Sequence, residues 1–150
     1  MGQIATKTRA DGQISSLAGE FFVAAELLKR GLQTSVTFGN AKAIDLLAYN
    51  PAIDHTFPVQ VKALRKKNYF PISQDRVKAT YIYVFVLLNK PSEAVQYFVV
   101  PGSVLANEAE RFGKDFQHPT FPGIHPKCLQ EFAEAWHYFD RVPAHANAQL

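Results

Sequence analysis

Nine consecutive residues, Thr80-Tyr81-Ile82-Tyr83-Val84-Phe85-Val86-Leu87-Leu88, contain no charge, proline or glycine and are dominated by β-branched and aromatic side chains. Such a run reads as a central strand buried on both faces, so the rest of the chain must supply cover on both sides of its sheet. Residues 95–100 return as a second strand after the Asn89-Lys90-Pro91-Ser92 turn. Upstream, residues 32–38 alternate, and 43–49 and 57–64 are short apolar runs separated by turns at 39–42 and 50–55. These three read as an antiparallel meander.

A helix is expected to start between Asp11 and Ser16, both good N-cap types, and to end at Gly31, a favoured residue just past a helix. Ile14, Leu17, Ala18, Phe21, Ala24, Ala25 and Leu28 follow helical spacing and predict its buried stripe. Residues 101–112 read as a second helix. Pro119, Pro122 and Pro126 mark 113–127 as loop. Leu129, Phe132, Ala133 and Trp136 predict a final amphipathic helix. The expected architecture is α/β, with about five strands flanked by helices in a core over roughly residues 13–140. A loose arm is expected over 1–12 and a frayed tail over 143–150.

At 150 residues the chain fits one domain, and 47% hydrophobic content with 12 Phe and 6 Tyr supports a packed core. Its single cysteine, Cys128, excludes an internal disulfide framework and fits a reducing compartment, so a cytoplasmic location is expected. No run has the ~18 apolar residues of a membrane helix, and the N-terminus has no signal-peptide core, so no membrane role is expected. A net charge of +3 is compatible with nucleic acid, although a local patch matters more than the total. His125 and Cys128 have no second close pair to complete a zinc site, and Cys128 reads as a core thiol.

The costly residues are the polar ones inside apolar strands. Asp45 lies among Ile, Leu and Ala, while Gln60 and Lys62 alternate with Val59, Val61 and Ala63. Buried polar groups cost free energy unless paired or bound to something. Gln60 and Lys62 share one face of their strand, about 6.5–7 Å apart. On the helix, Glu20 falls on the rim of the apolar stripe and is the carboxylate able to reach the sheet, whereas Glu26 points to solvent. An acid, an amide and an amine on adjoining strands can hold a divalent cation and an activated water, the parts that phosphodiester cleavage needs.

In that order, a helix with Glu20, a meander with Asp45 and Gln60-Val61-Lys62, and then a buried strand, the chain resembles the PD-(D/E)XK nuclease-like superfamily over residues 13–100. This superfamily includes many restriction endonucleases and Holliday junction resolvases. The resemblance implies a single-domain restriction-endonuclease-like fold with a mixed sheet, and a metal-dependent endonuclease acting on nucleic acid, with DNA as the expected substrate. It implies Mg²⁺ or Mn²⁺ held by Asp45, Gln60 and Glu20, with Lys62 positioning the attacking water or stabilising developing charge. Gln60 stands where Asp or Glu is usual, as in some Mrr-like restriction nucleases. A homodimer is expected only at the level of the family. Arg65, Lys66, Lys67 and Lys78 are the expected phosphate-tracking residues. Plainer readings stand beside these: Asp45 as a turn anchor, Lys62 as a snorkelling edge residue, and Glu20 as an ordinary surface side chain. At the level of function the alternatives are a catalytically inactive nuclease-fold binding or regulatory module and an unrelated α+β interaction protein.

Overall fold

The structure, a computed structural model, describes residues 9–37 and 44–144. The chain opens with helix α1 (Arg9–Lys29), followed by strands β1 (Gln33–Val36), β2 (Leu46–Asn50) and β3 (His55–Leu64). The turn expected at 39–42 lies outside the described residues. A short β4 (Phe70–Pro71) precedes β5 (Ile82–Leu87) and β6 (Gln96–Pro101), then helix α2 (Gly102–Asn107) and β7 (Gly123–Ile124). The main sheet has the order β1-β2-β3-β5-β6. β1, β2 and β3 form the expected antiparallel meander. β5 joins β3 in parallel, and β6 pairs antiparallel with β5. The result is an α/β fold with a mixed five-stranded sheet.

All six residues of β5 are buried, as its composition requires. Val84 and Val86 pack into the core that includes Val23 and Leu27 of α1. Tyr83, Phe85 and Leu87 pack into a second core with Phe70, Phe112, Phe116 and Phe132. Among the described residues, no helix is long and apolar enough to cross a membrane.

Helix α1 begins at Arg9, ahead of the expected start between Asp11 and Ser16, so the arm expected over 1–12 is helical from residue 9. It ends as expected. Gly31 takes φ +90°, and the Leu32 N–H donates to the Leu27 carbonyl at 3.0 Å, satisfying a carbonyl that the helix leaves open. The buried stripe is a correction. Ile14 (60% exposed), Phe21 (50%), Leu28 (54%) and Leu17 (43%) face outward, Ala25 is also exposed, and Ala18 is half-buried. Of the expected stripe only Ala24 is in the core. The face against the sheet is Ser15, Gly19, Val23 and Leu27, one residue every four. Close approach explains the choice: a Cβ at Gly19 would sit 2.5 Å from the Ala63 Cβ, so only a small residue lets α1 lie this near β3.

Gly19→Ala tests that contact. Alanine gains about 1 kcal/mol of helix propensity over glycine, whereas overpacking a filled contact costs typically 1–3 kcal/mol. The expected result is net destabilisation of order 1 kcal/mol, read as a lower urea midpoint. A midpoint that stays put or rises would mean that α1 can lift from β3 at little cost.

The C-terminal third also departs from expectation. Residues 102–107 are α-helical, but 109–112 tighten into a 3₁₀ turn. In place of the final amphipathic helix stand two 3₁₀ segments, Pro126–Phe132 and Trp136–Phe139. Between them the chain pairs with β6: Ala133 bridges to Phe98, and the Glu134 N–H donates to the Tyr97 carbonyl at 3.0 Å. Satisfying that sheet edge competes with continuing a helix. Inside the expected loop, β7 pairs with β4, with Phe70 opposite Ile124.

Candidate active site

The face on which each β3 residue lies follows from α1. Val59 and Val61 belong to the core that α1 helps to form, and strand alternation turns Gln60 and Lys62 to the opposite face. There they stand in register with β5, Gln60 beside Tyr83 and Lys62 beside Phe85. Both side chains line a cleft of about 710 Å³, whose walls include Tyr69, Ser73, Arg76 and Phe121. One wall of the cleft is formed by Pro71 of β4 and by the loop of residues 119–122 that leads into β7.

Asp45 lies one residue before β2 and not inside it. Its N–H donates to the Val59 carbonyl at 2.9 Å, and its Oδ2 accepts the Val61 N–H at 2.8 Å. The carboxylate thus satisfies a β3 amide just beyond the last paired residues of the β2 ladder, Leu46 and Val59. This supports the plainer reading of Asp45 as a strand-end anchor, and among the described residues Oδ1 makes no hydrogen bond.

Electrostatics link Asp45 to two other expected residues. Burial holds the Asp45 carboxyl above its ordinary range, opposed by the Val61 N–H and the Lys62 charge. Burial pushes the Lys62 ammonium below its ordinary value, with Asp45 opposing and Arg76 adding to the depression. Glu20, half-buried on α1, is raised by burial and then by the negative charge of Asp45. Asp45 is therefore linked to Glu20 on one side and to Lys62 on the other, with Gln60 on the same cleft wall as Lys62. The lining of the cleft includes Gln60 and Lys62 but neither Asp45 nor Glu20. Of the expected metal-binding residues, the structure therefore sets Glu20 on the helix side of the sheet, Gln60 in the cleft on the other side, and Asp45 at the end of β2 with Oδ2 bonded to the Val61 N–H. Among the described residues, no set of three or more His, Cys, Asp and Glu side chains is close enough to hold a metal ion.

The expected basic cluster divides. Arg65 and Lys66 line a second groove, between α1 and the β5–β6 turn, together with Phe22 and Lys90. Lys67 is exposed beyond β3. Lys78 is exposed too, and its backbone N–H donates to the Tyr83 Oη at 2.8 Å. The cation lining the cleft beside Lys62 is Arg76, on a 3₁₀ turn at Gln74–Arg76. Sequence reasoning missed it, because a lone arginine in a loop carries no pattern; its one signal was its place two residues before Lys78. It also missed Phe121, an aromatic residue 68% exposed on the cleft wall. His125 pairs with Asp115 at 2.8 Å, and Cys128 is half-buried.

Five mixed strands, a helix over one face and a polar cleft on the other make an α/β fold. Among solved structures, that of a bacterial homing endonuclease, I-Ssp6803I, matches over 100% of both chains with a TM-score of 0.59 and 16% sequence identity. At that identity the likeness is one of fold. No protein-family model matches the chain, and no curated protein matches it in sequence.

Proposed function

We propose that the protein is a metal-dependent endonuclease of the PD-(D/E)XK kind, hydrolysing DNA phosphodiester bonds in the Gln60–Lys62 cleft. The observation that carries this reading is the placement of Gln60 and Lys62 on one wall of a cleft that Arg76 and Phe121 also line, with the Asp45 carboxylate bonded to the N–H of Val61 between them. The homing-endonuclease neighbour supports nucleic acid as the substrate class.

Asp45 and Gln60 would hold Mg²⁺ or Mn²⁺, with Glu20 adding charge through water from the helix side; the bound ion would polarise the phosphate and make a bound water acidic. Lys62, its ammonium form weakened by burial, orients the attacking water and offsets charge as it develops on the phosphoryl oxygens. Arg76 contacts a neighbouring phosphate, and Phe121 offers a face on which a base stacks.

A second reading is an inactive nuclease-fold module that binds nucleic acid or a partner. Two observations favour it: Gln60 brings no charge, and one Asp45 oxygen is committed to the Val61 N–H. Incubating the full chain with supercoiled plasmid separates the two. Nicked or linear DNA with Mg²⁺ or Mn²⁺, and none with EDTA, is the expected outcome. A chain inert with every divalent metal that still retards DNA would establish the module. A chain that neither cuts nor binds would remove both readings.

A further inference from the structure

The Gln60–Lys62 cleft sets cations beside aromatic rings. Lys62 and Arg76 are the charged residues of its lining, and none of the lining residues is acidic. Tyr69 and Phe121 line the same space. A single exposed ring, such as Phe121 at 68%, is ordinary on a protein surface. What sets Phe121 apart is how firmly its loop is held.

Phe121 stands in Pro119-Thr120-Phe121-Pro122, where a proline at each end restricts the backbone. The His118 Nδ1 accepts two N–H groups, from Thr120 at 3.1 Å and from Phe121 at 2.9 Å. At the far end the Ile72 N–H donates to the Pro122 carbonyl at 3.2 Å, which ties the loop to the residue after β4. Tyr69 is held as well. Its ring lies where a Cβ on Gly123 would collide with it, and its centroid is 5.7 Å from that of the His125 ring. Rings fixed before binding lose little freedom when a ligand arrives.

We propose that the cleft takes an unpaired DNA strand, with a base stacked on Phe121 beside the phosphate that Arg76 contacts. This rests on the reading that nucleic acid occupies the cleft, and adds which form of it does. Inside a duplex, both faces of a base are covered by its neighbours. Proteins reach duplex DNA through groove edges and phosphates, neither of which uses the face of a ring. An unpaired strand can splay its bases, and sites for such strands join a cationic groove to aromatic platforms. The cleft contains both parts. His118 is then a positioning residue, since it acts on the strand through Phe121.

The test is fluorescence anisotropy of the full chain with a labelled single-stranded oligonucleotide and with a blunt duplex of the same sequence, in EDTA so that cutting plays no part. The single strand is expected to bind more tightly. Phe121→Ala is expected to weaken single-strand binding by ~5- to 100-fold, the scale of one base stacked on an aromatic ring, and to leave duplex binding unchanged. Phe121 is exposed, so its loss leaves the core intact. Phe121→Trp keeps a ring face and should bind at least as well as the native chain. His118→Leu should lose much of the same affinity, whereas His118→Asn, whose amide oxygen can accept an N–H two residues on, should retain most of it. Equal affinity for the two forms, or tighter binding of the duplex, would overturn the proposal. So would a Phe121→Ala chain that loses duplex and single strand alike, or neither. A chain that cuts plasmid with metal yet prefers duplex sinks this inference and leaves the nuclease reading standing. A chain that never cuts but holds the single strand through Phe121 does the reverse.

Discussion

Asp45→Asn is expected to lower DNA cleavage by at least ~10²–10³-fold, the scale on which removing one group that stabilises a reacting phosphate is felt, while making the folded protein more stable at neutral pH. The two effects have one origin. Burial raises the Asp45 carboxyl pKa in the folded state, and the Val61 N–H and Lys62 only partly offset it. The folded chain then holds the proton more tightly than the unfolded chain. Its contribution to stability is complete below the unfolded value of 3.8 and is lost as pH rises through the higher folded value. Glu20 acts in the same direction from 4.5 upward. The native protein at neutral pH therefore carries the cost of keeping two acids charged in partial burial, and a neutral, nearly isosteric amide relieves part of it. Asn can still accept the Val61 N–H through its amide oxygen, so the end of β2 stays anchored.

The measurements are plasmid nicking with Mg²⁺ or Mn²⁺ and a thermal melt of the same preparation. Loss of nicking with an unchanged or higher Tm fits a carboxylate kept for chemistry. Full activity in Asp45→Asn would reduce Asp45 to the strand-end anchor that its Oδ2 contact describes. Lys62→Ala is expected to abolish cutting as well, and not to be rescued by Asp45→Asn, because the two residues do different work. In Gln60→Glu a charged ligand returns to the position occupied by an amide. If Gln60 already serves as a ligand, that change shifts the preferred metal and leaves turnover within about an order of magnitude.

Gly102→Ala is expected to destabilise the protein by ~3 kcal/mol or more, or to leave it unfolded. A Cβ on Gly102 would collide with the Lys78 carbonyl and lie 2.8 Å from the Tyr81 carbonyl oxygen. Both obstacles are backbone, which cannot turn aside as a side-chain tip does. The same residue donates its own N–H to the Tyr81 carbonyl at 2.7 Å, so it cannot retreat without breaking a bond at the start of α2. The displaced segment is the one whose Lys78 N–H meets Tyr83, beside Gln60, so any folded remainder should also have a disturbed cleft. Urea denaturation measures the effect directly. A midpoint within experimental error of the native one would show that residues 78–81 can move freely, and that the close fit of α2 against them contributes little.

What the sequence by itself determined was whatever depends on near neighbours along the chain. β5 is buried on both faces because six successive apolar residues leave no polar side to expose. The meander follows from alternation and turn residues. Gln60 and Lys62 share a face because strand side chains alternate, whatever the sheet packs against. Gly31 closes α1 because it reaches a positive φ at little cost. Only the tertiary structure decided which face of α1 meets the sheet. Periodicity marks apolar residues but not their partners, and the closest packing went to Gly19 and Ser15 while the larger stripe was left outside. The same holds for the cleft. Asp45 was legible as an anomalous residue, but its bond to Val61 depends on where the β2–β3 ladder stops. Arg76 reaches the Lys62 cleft, and Arg65 and Lys66 turn to another groove, because the chain beyond β3 is routed by the pairing of β4 with β7. The final segment abandons helical spacing for 3₁₀ turns because unpaired groups on β6, more than thirty residues away in sequence, needed partners that no local pattern could announce.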